Sequence, residues 1–573
     1  MNINIQLECR ARCAEAQEAA AIAVERIGEL GGGDGGSISI PFKLLFDEKE
    51  TDGYILDVSS AREATIYAKL RRNFIAGLGE LMNRLLRAAD RTVYGSQAEL
   101  ALELGVWEFV PSVKDRIHYM PGHFGNSFEV CSRHEMKRYL EDLALSGASG
   151  YADWFDPNDM PDPYNPHVYH STSMFLWRRK KEWLTYSQQL GLENVLMICP
   201  NVGYVDQMRP EWVGVRNRQL RVQGQVLCPS NPQAREVILA NQERLLGDLQ
   251  QSGIRLSKIV CAPYDDGGCA CPKCQPYYPV FLQLVHDVYT VASRFYPELK
   301  VSICGWWTSE EESKQLLDFV NGPARDWFDS YLYSATYGVF ELPSDLAERT
   351  AGMNLGSFVH IGFSNDRRDV YTKTGVHSAA RRIQSIFRSF ASQRCNGFMT
   401  YNESFGDNFN AFAAGLLGWN PGRDVREIAE FYARLMFRLC GSSLHKLVDV
   451  LLEMETLDET RAASWAETLR GVERDVKTHE WQHWAFGHIL LKAELMRLDS
   501  IIEEKERQQP GSASAEMEER LELTEKLWRR LYGFGVLRHI LIPDNMLPGW
   551  HKAYREKERK KESIRSGVIA DDA

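Results

Sequence analysis

The chain has 573 residues, more than one compact core holds, so about two to four domains are expected. It is globular in composition, with 44% hydrophobic and 25% charged residues, and its net charge of −11 argues against a nucleic-acid binder and against attraction to an anionic membrane. No apolar run reaches the ~18 residues a bilayer span needs, Met1–Arg12 lacks the apolar stretch of a secretion signal, and twelve cysteines are too sparse for a disulfide scaffold, which together predict a cytoplasmic protein.

Residues 1–110 read as a small α/β domain. Asn2–Glu8 alternates apolar and polar residues as a half-buried strand does, and Cys13–Leu30 is Ala-rich and helical. The GGGDGG run at Gly31–Gly36 is a turn. Ser37–Phe46 and Tyr54–Val58 read as strands, Ala61–Leu86 as a helix, and Arg87–Leu104 as helical or connecting.

Residues 111–422 carry a regular rhythm in which short apolar strands alternate with amphipathic helices, as parallel βα units do. The expected strands are Arg116–Met120, Gly150–Phe155, Asn194–Cys199, Lys258–Ala262, Lys300–Trp306, Ser330–Ser334, Ser357–Phe363 and Gly397–Asn402. Ser132 with Glu135 three residues on predicts a capping box at the head of one helix. Eight units over this length fit a closed (β/α)₈ TIM barrel. A doubly wound open sheet is the alternative, and the absence of a glycine-rich phosphate loop counts against it. Residues 423–573 predict a helical domain, with helices at Asp424–Leu439, Ser443–Glu455, Glu459–Lys477, Ala485–Arg507 and Ser514–Leu531.

A barrel forms its site at the C-terminal ends of its strands. Those ends carry Asp153 with Trp154 and Asp156 (YADWFDP), Asn201 and Tyr204 (PNVGY), Asp265 and Asp266 (APYDDGG), and Trp306 and Trp307 (CGWW). They continue with Tyr333 and Tyr337 (YLYSATYG), Asn365 and Asp366 (FSND), and Asn402 and Glu403 (TYNES). Carboxylates, amides and paired aromatics on one rim suit a polar, ring-shaped ligand such as an oligosaccharide; the bland alternative for the 14 Trp and 23 Tyr is a large core.

Adjacent side chains at a strand end point apart, so Asp265 and Asp266 can serve different groups of one substrate, and their mutual repulsion favours one of them as an acid. Alternatively they form a turn or cap before Gly267 and Gly268. Glu403 either caps the following helix or supplies the second carboxylate that glycoside hydrolysis commonly needs. His118 and His123 flank the first strand end, and His167 and His170 lie in the second loop; a substrate contact is expected from this group, with His123 in the candidate set.

Cys269, Cys271 and Cys274 in GGCACPKC could converge on a soft ion, with Cys228 from the preceding barrel loop as fourth ligand. Structural zinc, free thiols and a disulfide all remain open. A catalytic metal is not expected, because the motif has no histidine and no water-bearing ligand, and catalysis is expected to need no cofactor.

The stretch HYMPGHFGNSFEVCSRHEMKRYLEDLALSGASGYADWFDP (118–157) resembles the first βαβ unit of β-N-acetylhexosaminidases and α-glucuronidases. GYILDVSSAREATIYAKLRRNFIAGLGELMNRLL is similar to part of the small domain that precedes the barrel in those families. GFMTYNESFGDNFNAFAAGLLGWNP is similar to the hexosaminidase strand-eight segment, and Asp265–Asp266 resembles the acidic pair of the O-GlcNAc hydrolases. The hexosaminidase GGDE signature is replaced by PYDDGGCACPKC.

The resemblance implies a retaining exo-glycosidase in which Asp265 orients the substrate's acetamido nucleophile, Asp266 is the general acid and Glu403 holds sugar hydroxyls. An α-glucuronidase or other two-carboxylate glycosidase is the first alternative, with Arg116, Arg367 and Arg368 as candidate readers of a uronate. A sugar-binding barrel without catalysis is the second. A homodimer is left open.

Overall fold

The computed structural model describes residues 3–31, 38–91, 100–123, 126–155, 157, 160–165, 172–216, 226–264, 267–306, 308–335, 342–350, 353–362, 378–477 and 480–532. The chain begins with a five-stranded mixed sheet, β1 (Ile3–Ala11), β2 (Ile38–Glu48), β3 (Tyr54–Ser60), β4 (Glu63–Ala68) and β5 (Gly105–Phe109), in the order β1-β2-β4-β3-β5. Helices Gln17–Gly28 and Arg71–Arg91 pack on it. The single helix expected over Ala61–Leu86 is corrected. Its first part is β4, where Glu63–Ala68 alternates with Ala64, Ile66 and Ala68 buried, and pairs with both β2 and β3. The following helix buries Phe74, Ile75, Leu78, Leu81 and Leu85. β5 was not anticipated; it is short, and only one face is partly covered.

Eight parallel strands then close a barrel: β6 (Asp115–Tyr119), β7 (Gly150–Asp153), β8 (Glu193–Ile198), β9 (Lys258–Cys261), β10 (Lys300–Cys304), β11 (Phe328–Ala335), β12 (Leu355–His360) and β13 (Cys395–Tyr401). The closing seam pairs β13 with β6, Thr400 opposite His118. The barrel interior is filled by Ile117, Val195, Met197, Val260, Leu332 and Met399, so it is a packed core and not a pore. At its base Lys258 Nζ lies 3.0 Å from Asp115 and 2.6 Å from Asp329, a buried cation held between two strands' carboxylates. The predicted capping box is formed: Ser132 Oγ accepts from the Glu135 N–H at 3.2 Å, and Glu135 accepts from the Ser132 N–H at 2.6 Å.

The barrel's two chain ends lie side by side. The Ser112 N–H donates to the Trp419 carbonyl at 3.0 Å and the Val113 N–H to the Gly418 carbonyl at 2.9 Å. Gly147, at φ +96°, packs so closely here that a Cβ would stand 1.9 Å from Trp419 Nε1. Arg116 belongs to this lower end. Its guanidinium donates to the carbonyls of Gly147, Val113 and Lys114 and lies 4.8 Å from the Trp419 ring. The uronate-reading role considered for Arg116 is thereby corrected, while Arg367 and Arg368 fall outside the described residues.

Helices Val425–Phe437, Gly441–Glu453, Ala462–Glu473, Glu480–Gln508 and Ser514–Tyr532 follow the barrel. Among the described residues, no helix is long and apolar enough to cross a membrane. Glu480–Gln508 packs against the turn Phe405–Asp407, and Ser514–Tyr532 against the turn of helix Ser127–Val130, so this layer reaches the barrel's upper rim. Buried charge links the parts. Arg26 is paired with Asp142 and, at 3.1 Å, with Glu141 of the barrel helix Arg133–Leu145, whose Arg138 returns to Glu25 at 3.0 Å and to Glu29. Arg434 reaches Asp90 at 2.7 Å.

Candidate active site

The mouth of the barrel is floored by rings. Strand alternation sends Tyr119, Phe358, His360 and Tyr401 to its inner face, and Trp306 joins them just beyond β10. Trp306 and His360 stack with centroids 4.3 Å apart and planes at 16°. His360 lies 4.9 Å from Tyr401, and Tyr401 lies 5.5 Å from Tyr119. His123 adds its ring beside Trp154 at 5.8 Å. His360 and the two tyrosines were not singled out in the sequence; the signal was available in the period-two phase that runs from Phe358 to His360.

Glu403 stands at this floor, 6% exposed, with Oε2 3.9 Å from His123 Nε2. The turn that holds it is over-determined. Its N–H and that of Ser404 both donate to Asp407 Oδ2, and its carbonyl accepts from Asn126 Nδ2 at 3.1 Å. Asn126 also donates to the Pro121 carbonyl at 2.7 Å, and the Phe405 N–H donates to Ser127 Oγ at 2.8 Å. The loops after β6 and β13 are thus clasped together, which brings His123 to Glu403. Burial pushes the Asp407 carboxyl up to about 7 against the two N–H donors, and the charge of Glu403 pushes the same way. Asn402 is wholly buried next to Glu403, its N–H donating to the Tyr119 carbonyl at 2.9 Å.

Other sequence candidates are tied into the packing around the barrel rather than its mouth. Asp153 is 1% exposed, and its carboxylate is engaged by Lys180 Nζ (3.2 Å), Tyr151 Oη (3.0 Å), and the N–H groups of Gly122 (3.2 Å) and Trp154 (2.7 Å). It braces the loop that carries His123 from below. Asn201 is also fully buried; it donates to the carbonyls of Leu227 and Gly268, both at 3.0 Å, and accepts from the Gly268 N–H at 3.1 Å. Tyr204 is buried against Trp177, and Tyr333 is half-buried on β11. His118 faces away from the mouth, bonded to Thr400 Oγ1 at 2.9 Å, and burial drives its imidazole down to about 3, so it stays neutral. Asp265, Asp266, Trp307 and Asn365 lie outside the described residues, as do Asp156, His167, His170, Tyr337 and Asp366.

The four cysteines do come together. The sulfurs of Cys228, Cys269, Cys271 and Cys274 all lie within 4.8 Å of one another, and Cys228 Sγ is 3.7 Å from both Cys271 Sγ and Cys274 Sγ. Those separations exclude a disulfide, whose sulfurs sit ~2.05 Å apart, and all twelve cysteines are unpaired. The residues fit a metal: four soft donors, on two loops, surround one point.

No protein-family model matches the chain, and no curated protein matches it in sequence. Solved structures are similar in fold. A GH138 enzyme targeting pectin rhamnogalacturonan II aligns with a TM-score of 0.55 at 10% identity, over 92% of this chain and 73% of its own. A family 89 glycoside hydrolase from Clostridium perfringens aligns with a TM-score of 0.55 at 12% identity, over 84% of this chain and 62% of its own. The GH20 β-N-acetylhexosaminidase from Streptomyces coelicolor A3(2) gives 0.46 at 15% identity, over 76% of this chain and 92% of its own. The likeness is one of fold. A (β/α)₈ barrel with added α/β and helical parts is established; what its mouth does must be argued from the site.

Proposed function

We propose that the chain is a glycoside hydrolase. The observation that carries the reading is Glu403, a buried carboxylate beside His123 on the aromatic floor of a closed barrel. Flat rings receive the apolar face of a sugar, and a carboxylate at their edge accepts from its hydroxyls. The fold neighbours support the same class, since one is named a GH138 enzyme and the other a family 89 glycoside hydrolase.

In the finer reading the enzyme is a retaining, exo-acting β-N-acetylhexosaminidase-like hydrolase of oligosaccharides. Asp266 protonates the leaving oxygen, and Asp265 polarises the substrate's acetamido group so that its carbonyl oxygen attacks the anomeric carbon. Glu403, His123, Trp306, Trp307 and Asn365 bind the sugar. The Cys228–Cys269–Cys271–Cys274 cluster takes a structural zinc and no part in bond cleavage. Twelve unpaired cysteines support a reducing compartment, the cytoplasm.

Three variants test the assignment on alkyl and aryl glycosides. Asp266→Asn loses on the order of 10²–10⁴-fold in kcat on alkyl glycosides and much less on aryl glycosides, whose leaving groups need little protonation. Asp265→Asn slows both substrate types. Glu403→Gln chiefly raises KM if it holds hydroxyls, whereas abolished turnover makes it the second catalytic carboxylate of a two-carboxylate enzyme. Small, equal effects of all three on every glycoside leave only a sugar-binding barrel.

A further inference from the structure

The four cysteines and the buried amide of Asn201 form one construction. Cys228 follows an irregular ribbon in which Val202 bridges Val226 and Val213 bridges Leu227, both antiparallel. This ribbon is the long excursion between β8 and the helix Pro232–Gln251. The other three cysteines lie on the excursion between β9 and the helix Tyr277–Phe295. Asn201, just after β8, bonds the backbone on both sides of the cluster: the Leu227 carbonyl next to Cys228, and the N–H and carbonyl of Gly268 next to Cys269.

The sulfurs also have a polar neighbour. Ser230 Oγ lies 2.9 Å from Cys274 Sγ. Four sulfurs gathered this closely form a ready-made ligand set for one soft cation. A tetrahedral zinc with Zn–S of ~2.3 Å sets its sulfurs about 3.8 Å apart, which the 3.7 Å pairs match. Four protein ligands leave no open position for substrate or water, the mark of a structural site.

We infer that these four cysteines hold one zinc ion, and that the ion and Asn201 together lock the loops after β8 and β9 into a single rigid wall of the barrel mouth. Only the effect on turnover rests on the glycosidase reading. The β9 excursion is the one that carries Asp265 and Asp266 in sequence, between Tyr264 and Gly267. Asn201 is thus a positioning residue: it touches the backbone of both metal-bearing loops through one side chain.

The test uses the full chain, expressed without added metal. Elemental analysis reads one zinc per chain, and cobalt exchanged for zinc gives thiolate-to-cobalt charge-transfer bands of tetrahedral type. Stripping zinc from the folded protein with a mercurial reagent accelerates proteolysis in the two loops, and removing the mercurial with excess small thiol before re-adding zinc restores protection. Cys228→Ser loses the zinc. Asn201→Ala keeps the zinc and still opens both loops to protease, with a fall in kcat larger than any change in KM if the enzyme turns over a glycoside. Substoichiometric zinc with four titratable thiols, or iron in its place, overturns the metal assignment. Unchanged proteolysis after stripping, or in Asn201→Ala, overturns the locked wall. Absence of any glycosidase activity leaves the metal, spectral and proteolytic results intact and counts against the functional reading alone.

Discussion

Asp407 provides a sharp test of the site's electrostatics. Its carboxyl is fully buried, titrates at about 7 against an ordinary value of 3.8, and holds the N–H groups of Glu403 and Ser404. Glu403 is the charged group facing it, while Gly362 abuts it so closely that a Cβ there would stand 2.4 Å from Oδ2. Between the two values the folded protein binds a proton that the unfolded chain has released, so stability falls as pH rises through this window and levels off above it. At about 1.4 kcal/mol per unit, a change from pH 5 to pH 8 costs the folded state roughly 2–3 kcal/mol through this one group. Asp407→Asn removes the titration, while its amide oxygen still accepts the two N–H groups. Urea unfolding of wild type and variant at both pH values reads the difference: the variant gains roughly 2–3 kcal/mol relative to wild type on going to pH 8. A relative stability that does not move with pH refutes the argument and places Asp407 at its ordinary value.

Arg26→Met leaves Glu141 and Asp142 buried against a single remaining arginine, and it should cost about 3–5 kcal/mol in denaturant unfolding. Gly147→Ala forces a Cβ against the Trp419 indole at a left-handed φ; strain alone is of order 1–3 kcal/mol, so calorimetry should show a lowered Tm with activity per folded molecule preserved. Trp306→Ala removes the ring stacked on His360 and should raise KM for glycosides roughly 2–10-fold with little change in kcat. Lys180→Met strands the Asp153 carboxylate without its cation and should reduce stability more than Lys180→Arg does.

The barrel was legible because hydrophobic patterning reports burial directly: four-residue runs such as Gly150–Asp153 and Lys258–Cys261 are buried at every position and cannot pass as solvent-facing strands. The cysteine cluster was legible for another reason. Neighbouring strands of a barrel bring their loops together, so Cys228 could be joined to a motif more than forty residues away. Asp153 and Asn201 show where such reading stops. Their place at strand ends was right, but their partners are Lys180, on a helix that lies against the strand, and the backbone of Leu227 and Gly268, none of which is visible as spacing. Strand position says which end of the barrel a side chain occupies; what neutralises it depends on packing. β4 misled for a local reason. Ala64 and Ala68 are as acceptable to a helix as to a strand, and the pairing with β2 and β3 decided between them.

The adjacency of residues 112–113 and 418–419 makes the barrel topologically a ring that is cut at one point. A permuted gene that joins residue 419 to residue 112 through a short linker, and opens the chain in a helix-to-strand connection on the lower face, keeps every strand neighbour and every residue of the mouth. The same adjacency means that the leading sheet and the trailing helices are grafted at a single stem. Arg434 with Asp90 and Arg423 with Glu80 bind those two grafts to each other as well as to the ring.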